Sequence, residues 1–272
     1  QHSLNTMHKQ KMLLEENSKH TLDSITSAKR IQDALLPDLD FAKKAGFDIS
    51  ILYKPKDILS GDFYWFGEKN GKTIIVAADC TGHGIPGAML SITGHNLLHK
   101  IVHEQGIHHV DMILNRLHIE LISLLKAKQT GTEEGMDLQI ISIDKVTKET
   151  MYAGARNPIY YSDTEGNLKC IKADRFSIGG TQTVANPQFR KHKLPDQWGN
   201  IFLCSDGYQD QFGEVNQKKL MVGRLKDFLQ QINTKNYPID QIAFLKDQLS
   251  TWQGKEEQTD DILILSIKKA MV

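Results

Sequence analysis

Over residues 1–36 the chain carries neither glycine nor proline, and the first proline is Pro37. Positions spaced alternately by three and four trace one stripe through Leu4, Met7, Lys11, Leu14, Ser18, Thr21, Ile25, Ala28, Gln32 and Leu35. That period predicts a long helix of coiled-coil type. Its seam is apolar at both ends and polar at Lys11, Ser18, Thr21 and Gln32. A weak parallel homodimer is expected, with a single helix packed on its own domain as the alternative.

Beyond Pro37 the period shortens to two. Residues 47–53 alternate, and 62–67 with 72–79 read as a hairpin around Lys69-Asn70-Gly71. Amphipathic helices follow over 85–102 and 110–126, the second with Ile113, Leu114, Leu117, Leu121, Leu124 and Leu125 on its apolar face. Strands are predicted over 137–143, 149–152, 159–162, 168–171, 188–193 and 200–204. Helices over 218–231 and 239–252 precede a last strand over 262–267.

Strands dominate, with two helical pairs inserted. Two packed, mainly antiparallel sheets, each covered by a helix pair, bury all four sheet faces. The predicted class is α+β, an α-β-β-α sandwich, with the coiled-coil-like helix as a linker over 1–38 and the globular domain over 39–272.

Charge removes several functions from consideration. Lys and Arg number 33, as do Asp and Glu, so no net field attracts nucleic acid or anionic lipid. Cys80, Cys170 and Cys204 are widely spaced, as expected of reduced thiols in a cytoplasmic protein. No apolar run of 18 residues and no export signal is present, so neither a membrane span nor membrane contact is expected. The chain opens on Gln1 inside a helical pattern, which predicts a piece of a longer protein with a sensor upstream.

Four aspartates stand at the ends of apolar runs, in Ser60-Gly61-Asp62-Phe63-Tyr64, Ala77-Ala78-Asp79, Cys204-Ser205-Asp206 and Thr259-Asp260-Asp261-Ile262. Carboxylates are rarely buried unless paired or bound to a cation. Four at strand edges predict an all-oxygen site for hard divalent ions, and with it metal-assisted phosphate chemistry. Glycines in Asp79-Cys80-Thr81-Gly82-His83-Gly84 permit a carbonyl to turn toward an ion held by Asp79. Adjacent like charges at Asp260-Asp261 imply a nearby cation.

Together, Ser-Gly-Asp-Phe-Tyr, Ala-Asp-x-Thr-Gly-His-Gly, Ser-Asp-Gly and Asp-Asp-Ile resemble the PPM family of metal-dependent serine/threonine phosphatases, in its bacterial SpoIIE/RsbU-like branch. The resemblance spans residues 40–268, and Arg30-Ile31-Gln32-Asp33-Ala34-Leu35-Leu36-Pro37 is similar to the linker entering that domain. It implies two Mn²⁺ or Mg²⁺ ions, with Asp79 bridging, Asp206 and Asp260 completing one shell, and Asp62 with the Cys80 carbonyl completing the other. Asp261 follows the last ligand and is the second choice to Asp260; Asp137 and Asp210 are candidates for a third ion.

Four carboxylates and two divalent ions sum to zero charge, leaving the site able to accept an anion. Two ions ~3.5–4 Å apart share a water and lower its pKa from ~15.7, giving a hydroxide for in-line attack on a phosphoserine or phosphothreonine. Eukaryotic relatives grip phosphate with an arginine just upstream of the first Asp. Here Tyr53-Lys54-Pro55-Lys56-Asp57 occupies that stretch, leaving Lys54 or Lys56. The resemblance also implies a STAS-type anti-anti-sigma regulator as the phosphoprotein substrate. The rival class is a non-catalytic phosphatase-like relay that binds a partner.

Other motifs carry less. His95, His99 and His103 recur every four residues but lack a His-Glu-x-x-His pattern. His83 is a candidate general acid or a loop-forming residue. No P-loop is present, and neither Ser60 nor Ser205 lies in a nucleophile elbow.

Overall fold

The computed structural model describes residues 2–131, 133–180, 187–215, 217–234 and 240–269. One sheet has five strands, β1 (Phe47–Lys54), β6 (Ile159–Ser162), β7 (Leu168–Ile171), β10 (Asn200–Cys204) and β11 (Ile262–Lys269). Their spatial order is β1-β11-β10-β6-β7. The other contains β2 (Phe63–Lys69), β3 (Lys72–Cys80), β4 (Gly135–Asp144), β5 (Thr150–Ala155) and β9 (His192–Lys193) in that order, with β8 (Ile178–Gly179) on β4. All strand pairs in both sheets are antiparallel.

Alternation along β3 shows how the layers form. Ile75 and Ala77 enter an apolar cluster between the sheets, with Ile141, Tyr152, Leu203 and Leu265. Ile74, Val76, Ala78 and the Cys80 side chain enter the cluster beneath α3 (Gly84–His99) and α4 (Val110–Leu124). A third cluster lies between the five-stranded sheet and α7 (Met221–Thr234) with α8 (Gln241–Gln253). The result is the predicted α-β-β-α sandwich, its strands buried on both faces.

Short elements were not legible in the pattern. They are α2 (Asp40–Lys44), α5 (Ala127–Thr130), α6 (Gly207–Asp210), β8, and a π-helical turn over Lys100–Glu104 that prolongs α3. The strand predicted over 188–193 shrinks to His192–Lys193, because the Phe189 amide donates to Asn115 Oδ1 and the Arg190 amide to Asp174 Oδ2. Side chains take the bonds a ladder would need. Ile239, predicted to open the last helix, and the Leu4 side chain lie outside the described residues.

Helix α1 (His2–Leu35) has two regimes. Met7 and Leu14, both on the seam, are exposed, as an open seam requires. Gln32 corrects the seam reading, since it is 2% exposed and faces its own domain. Its Nε2 donates to the Ser60 carbonyl at 2.6 Å and to Ser91 Oγ at 2.9 Å, while its Oε1 accepts from the Ser60 amide at 3.1 Å. One amide side chain thus ties the helix to the loop before β2 and to α3. Replacing Gln32 with Ala leaves the buried Ser60 amide unpaired and its carbonyl with only the 3.4 Å bond from Ser91 Oγ, and is expected to cost about 1–3 kcal/mol, read as a lower urea midpoint.

Candidate active site

The four aspartates converge at one end of the inter-sheet layer. Asp62 directly precedes β2, Asp79 is the penultimate residue of β3, Asp206 caps α6 after β10, and Asp260 lies two residues before β11. Alternation puts Asp79 on the inter-sheet face, and its register partner across β4 is Asp137. The Cys80 side chain points the other way, into the helix-facing core.

Close backbone packing holds the loops together. A Cβ on Gly61 would lie 2.6 Å from the Gly82 carbonyl and 3.3 Å from the Cys80 carbonyl, so only glycine lets the Asp62 loop reach the Asp79 loop. Gly207 is required for the same reason, since a Cβ there would strike the Asp261 carbonyl. Ser205 Oγ donates to Asp62 Oδ2 at 2.6 Å, linking the two sheets directly beneath the cluster.

Burial is the largest cause holding the Asp62 carboxyl well above the ordinary carboxylate range. Asp261, Asp206 and Asp260 add to it, and the Ser205 bond opposes it. Asp79 is pushed well up by burial, then by Asp62, Asp206 and Asp137. Burial also raises Asp206, with Asp210 and Asp260 adding, while a hydrogen bond with Asp79 opposes the shift. Among the described residues, no Lys, Arg or His nitrogen forms an ion pair with Asp62, Asp79, Asp206 or Asp260. The nearby cations Lys219 and Arg156 pair instead with Asp210 and Asp137.

The neighbouring acids differ. Asp261 is 3% exposed, and its two oxygens accept from the Lys56 and Gly61 amides, each at 2.7 Å. Asp137 accepts from Ser177 Oγ at 2.5 Å and faces Arg156 Nε at 3.4 Å. Asp210 pairs with Lys219 Nζ at 2.7 Å. His83 Nδ1 lies 2.7 Å from Asp57 Oδ2, and Lys56 Nζ lies 3.1 Å from His83 Nε2. A lysine ammonium can only donate, so Nε2 accepts and Nδ1 carries the proton toward Asp57. Both ring nitrogens are occupied, which favours the loop-forming reading of His83 over the acid.

Among the described residues, no three His, Cys, Asp or Glu side chains close around a common point. The donor chemistry nonetheless fits hard divalent ions, because it is all oxygen and its four carboxylates form no ion pair with a protein cation among the described residues. The helical His95, His99 and His103 contribute nothing to it. The His95 ring is pushed toward its neutral form mainly by burial, and the His99 and His103 rings contact each other at a tilt, with centroids 4.7 Å apart.

Solved structures share this frame. The SiaA-PP2C domain of Pseudomonas aeruginosa is 28% identical at a TM-score of 0.80, over 93% of this chain and 98% of that one. The PP2C phosphatase domain with a fragment of the regulatory domain of SpoIIE from Bacillus subtilis is 17% identical at a TM-score of 0.61, over 82% of this chain and 62% of that one. RsbX in complex with magnesium is 13% identical at a TM-score of 0.55, over 82% of this chain and 94% of that one. No curated protein sequence matches the chain.

Fold and comparisons define a PP2C-type protein serine/threonine phosphatase, a metal-dependent class of enzyme. The chain belongs to the SpoIIE family, whose model, described as stage II sporulation protein E, matches residues 69–270.

Raised carboxyl pKa values fix the sign of a pH effect. The folded state holds protons that the unfolded chain releases near pH 4, so metal-free stability falls as pH rises through the folded values. Thermal unfolding without metal is expected to show a higher Tm at pH 5 than at pH 8. Excess Mn²⁺ at pH 8 should raise the Tm, and Asp79→Asn should raise the metal-free Tm while removing most of the Mn²⁺ effect.

Proposed function

We propose that this chain hydrolyses phosphoserine or phosphothreonine on a protein, using two divalent ions held by Asp62, Asp79, Asp206, Asp260 and the Cys80 carbonyl. The observation that carries this reading is the absence of any ion pair to those four carboxylates among the described residues. Burying such charge is costly unless a cation joins it. Bound Mn²⁺ or Mg²⁺ supplies an acidified water and charge to balance the phosphoryl oxygens.

Within this reading each residue has a distinct task. Asp79, on β3 between β2 and β4, lies near both Asp62 and Asp206 and would contact both ions. Asp206 and Asp260 arrive from the opposite sheet, so the two sheets must stay in register for the site to close. Asp261 holds the 56–61 loop through two amides and fixes where Asp62 emerges, which assigns it positioning rather than ligation. Asp137 and Asp210 already have basic partners, Arg156 and Lys219, which weighs against a third ion.

Residues 1–38 act as the linker to an upstream sensor, and 39–272 as the phosphatase domain. The exposed seam residues Met7 and Leu14 support dimerisation, while Gln32 transmits helix position to Ser60, two residues before Asp62. Leu at both Lys11 and Ser18 should tighten the dimer and alter Mn²⁺-dependent activity. A tighter dimer with unchanged activity removes the coupling. The SpoIIE/RsbU resemblance supports a STAS-type regulator as substrate, which a phosphoproteomic comparison with and without the gene tests. No rise in phosphoserine or phosphothreonine on such a protein would reject that assignment.

Hydrolysis of p-nitrophenyl phosphate with Mn²⁺ tests the chemistry. Asp79→Asn and Asp206→Asn should each fall by more than about a hundredfold, beyond the range typical of groups outside the ligand shell. Asp260→Asn should match them, and Asp261→Asn should lose about 10–100-fold. Equal background rates for wild type and all variants would instead favour a relay module without catalysis.

A further inference from the structure

The two lysines upstream of Asp62 are engaged elsewhere. Lys56 Nζ rests on His83, and Lys54 Nζ lies 3.5 Å from Gln253 Oε1. A guanidinium nevertheless reaches the acidic cluster from another part of the chain. Arg156 follows β5 directly, and its Nε is 3.4 Å from Asp137 Oδ2.

Sheet register fixes how near this is to the reaction centre. Asp79 pairs with Asp137 across β3 and β4, and Leu138 pairs with Ala155 across β4 and β5. Asp79, Asp137 and Arg156 therefore form a row across three strands. At roughly 4.8 Å per strand, Arg156 starts about 10 Å from Asp79, within reach of an arginine side chain. Directly opposed residues share a face, so Asp79 and Asp137 both point into the inter-sheet opening where Asp206 and Asp260 arrive.

The turn carrying Arg156 is held far more rigidly than a connecting loop needs. Arg156 has φ of 59°, a left-handed conformation unusual for a side chain of this size. Its amide donates to the Asp174 carbonyl at 2.8 Å, and the Asp174 amide donates back to the Gly154 carbonyl at 3.0 Å. Asp174 is 6% exposed and is clamped by the Arg190 amide at 2.7 Å and Nε at 2.8 Å. Tyr152 Oη donates to the Asn157 carbonyl at 2.7 Å. Gln139 Nε2 donates both to the Pro158 carbonyl and to the Cys204 carbonyl, each at 2.9 Å. That last residue ties the turn to the strand end from which Asp206 projects.

The backbone is thus fixed on every side, while the guanidinium is left largely free. The Arg156 side chain is 61% exposed, and beyond Asp137 its nitrogens have no partner among the described residues. A planar, permanently charged fork held over an acidic site suits bidentate binding of a phosphate monoester. We infer that Arg156 binds the phosphoryl group of the substrate, supplying from the β5–β6 turn the cation missing upstream of Asp62. Asp137 holds the guanidinium in place until phosphate arrives, and the Asp174–Arg190 pair positions the turn. This inference rests on the phosphatase reading of the site.

Two measurements on the Mn²⁺-loaded full chain test it. The first is p-nitrophenyl phosphate kinetics, and the second is calorimetric binding of inorganic phosphate. Arg156→Gly removes the guanidinium in a residue that accepts the left-handed backbone, and Arg156→Lys keeps the charge without the fork. Arg156→Gly should raise KM and the phosphate dissociation constant together by about tenfold or more, the worth of a charged hydrogen bond. Arg156→Lys should recover part of that loss, with Mn²⁺ affinity unchanged in both. Unchanged KM and phosphate affinity in Arg156→Gly would overturn the inference, as would a loss that follows weakened Mn²⁺ binding. A wild-type chain that binds phosphate through Arg156 yet hydrolyses nothing would reject the phosphatase reading and leave the anion site standing. Absence of phosphate binding in the loaded wild type would reject Arg156 as its receptor.

Discussion

Four carboxylates confined at the mouth of a β-sandwich repel one another, and the structure is organised around that repulsion. Each comes from a different segment, so bringing them together needs both sheets in register and two loops packed through Gly61 and Gly207. Burial and mutual proximity hold Asp62, Asp79 and Asp206 toward their neutral forms. A fold that only sought stability would not place them so. Divalent cations sharing the site would make the arrangement favourable, and ion binding and local order would then be parts of one equilibrium.

Around this core the neighbouring acids and bases are sorted by function. Asp261 holds a loop, Asp137 holds an arginine, Asp210 holds a lysine, and Asp57 holds His83. Proximity to the centre and participation in it are therefore different properties: Asp137, Asp210 and Asp57 each face a basic side chain and Asp261 spends both oxygens on backbone amides, whereas Asp62, Asp79, Asp206 and Asp260 pair with no basic side chain among the described residues. Gln32 extends the same logic outward. It connects a long, mostly exposed helix to Ser60, whose hydroxyl in turn accepts from the Asp62 amide.

Much of this was legible in the sequence. The regular strands and helices followed from period, because burial on both faces leaves long apolar runs with clear ends. The aspartates were legible because charge at the end of such a run has few structural explanations. What escaped was information carried by tertiary contacts. Gln32 fits a heptad position as well as a buried one, and only the Ser60 carbonyl and amide distinguish them. The 188–193 segment has strand composition, yet Asn115 and Asp174 take its amides. Arg156 carried no local motif at all. Its importance comes from the row it forms with Asp137 and Asp79, a relation that exists only once three strands are paired.

The central claim concerns where cations sit, and anomalous diffraction from crystals of the chain grown with Mn²⁺ measures that directly. The account predicts two peaks bridged by Asp79, one completed by Asp206 and Asp260 and the other by Asp62 with the Cys80 carbonyl, while Asp261 keeps its bonds to Lys56 and Gly61. No peak at this end of the sandwich, or ions ligated by Asp261 or Asp137 in place of Asp260 and Asp62, would contradict it.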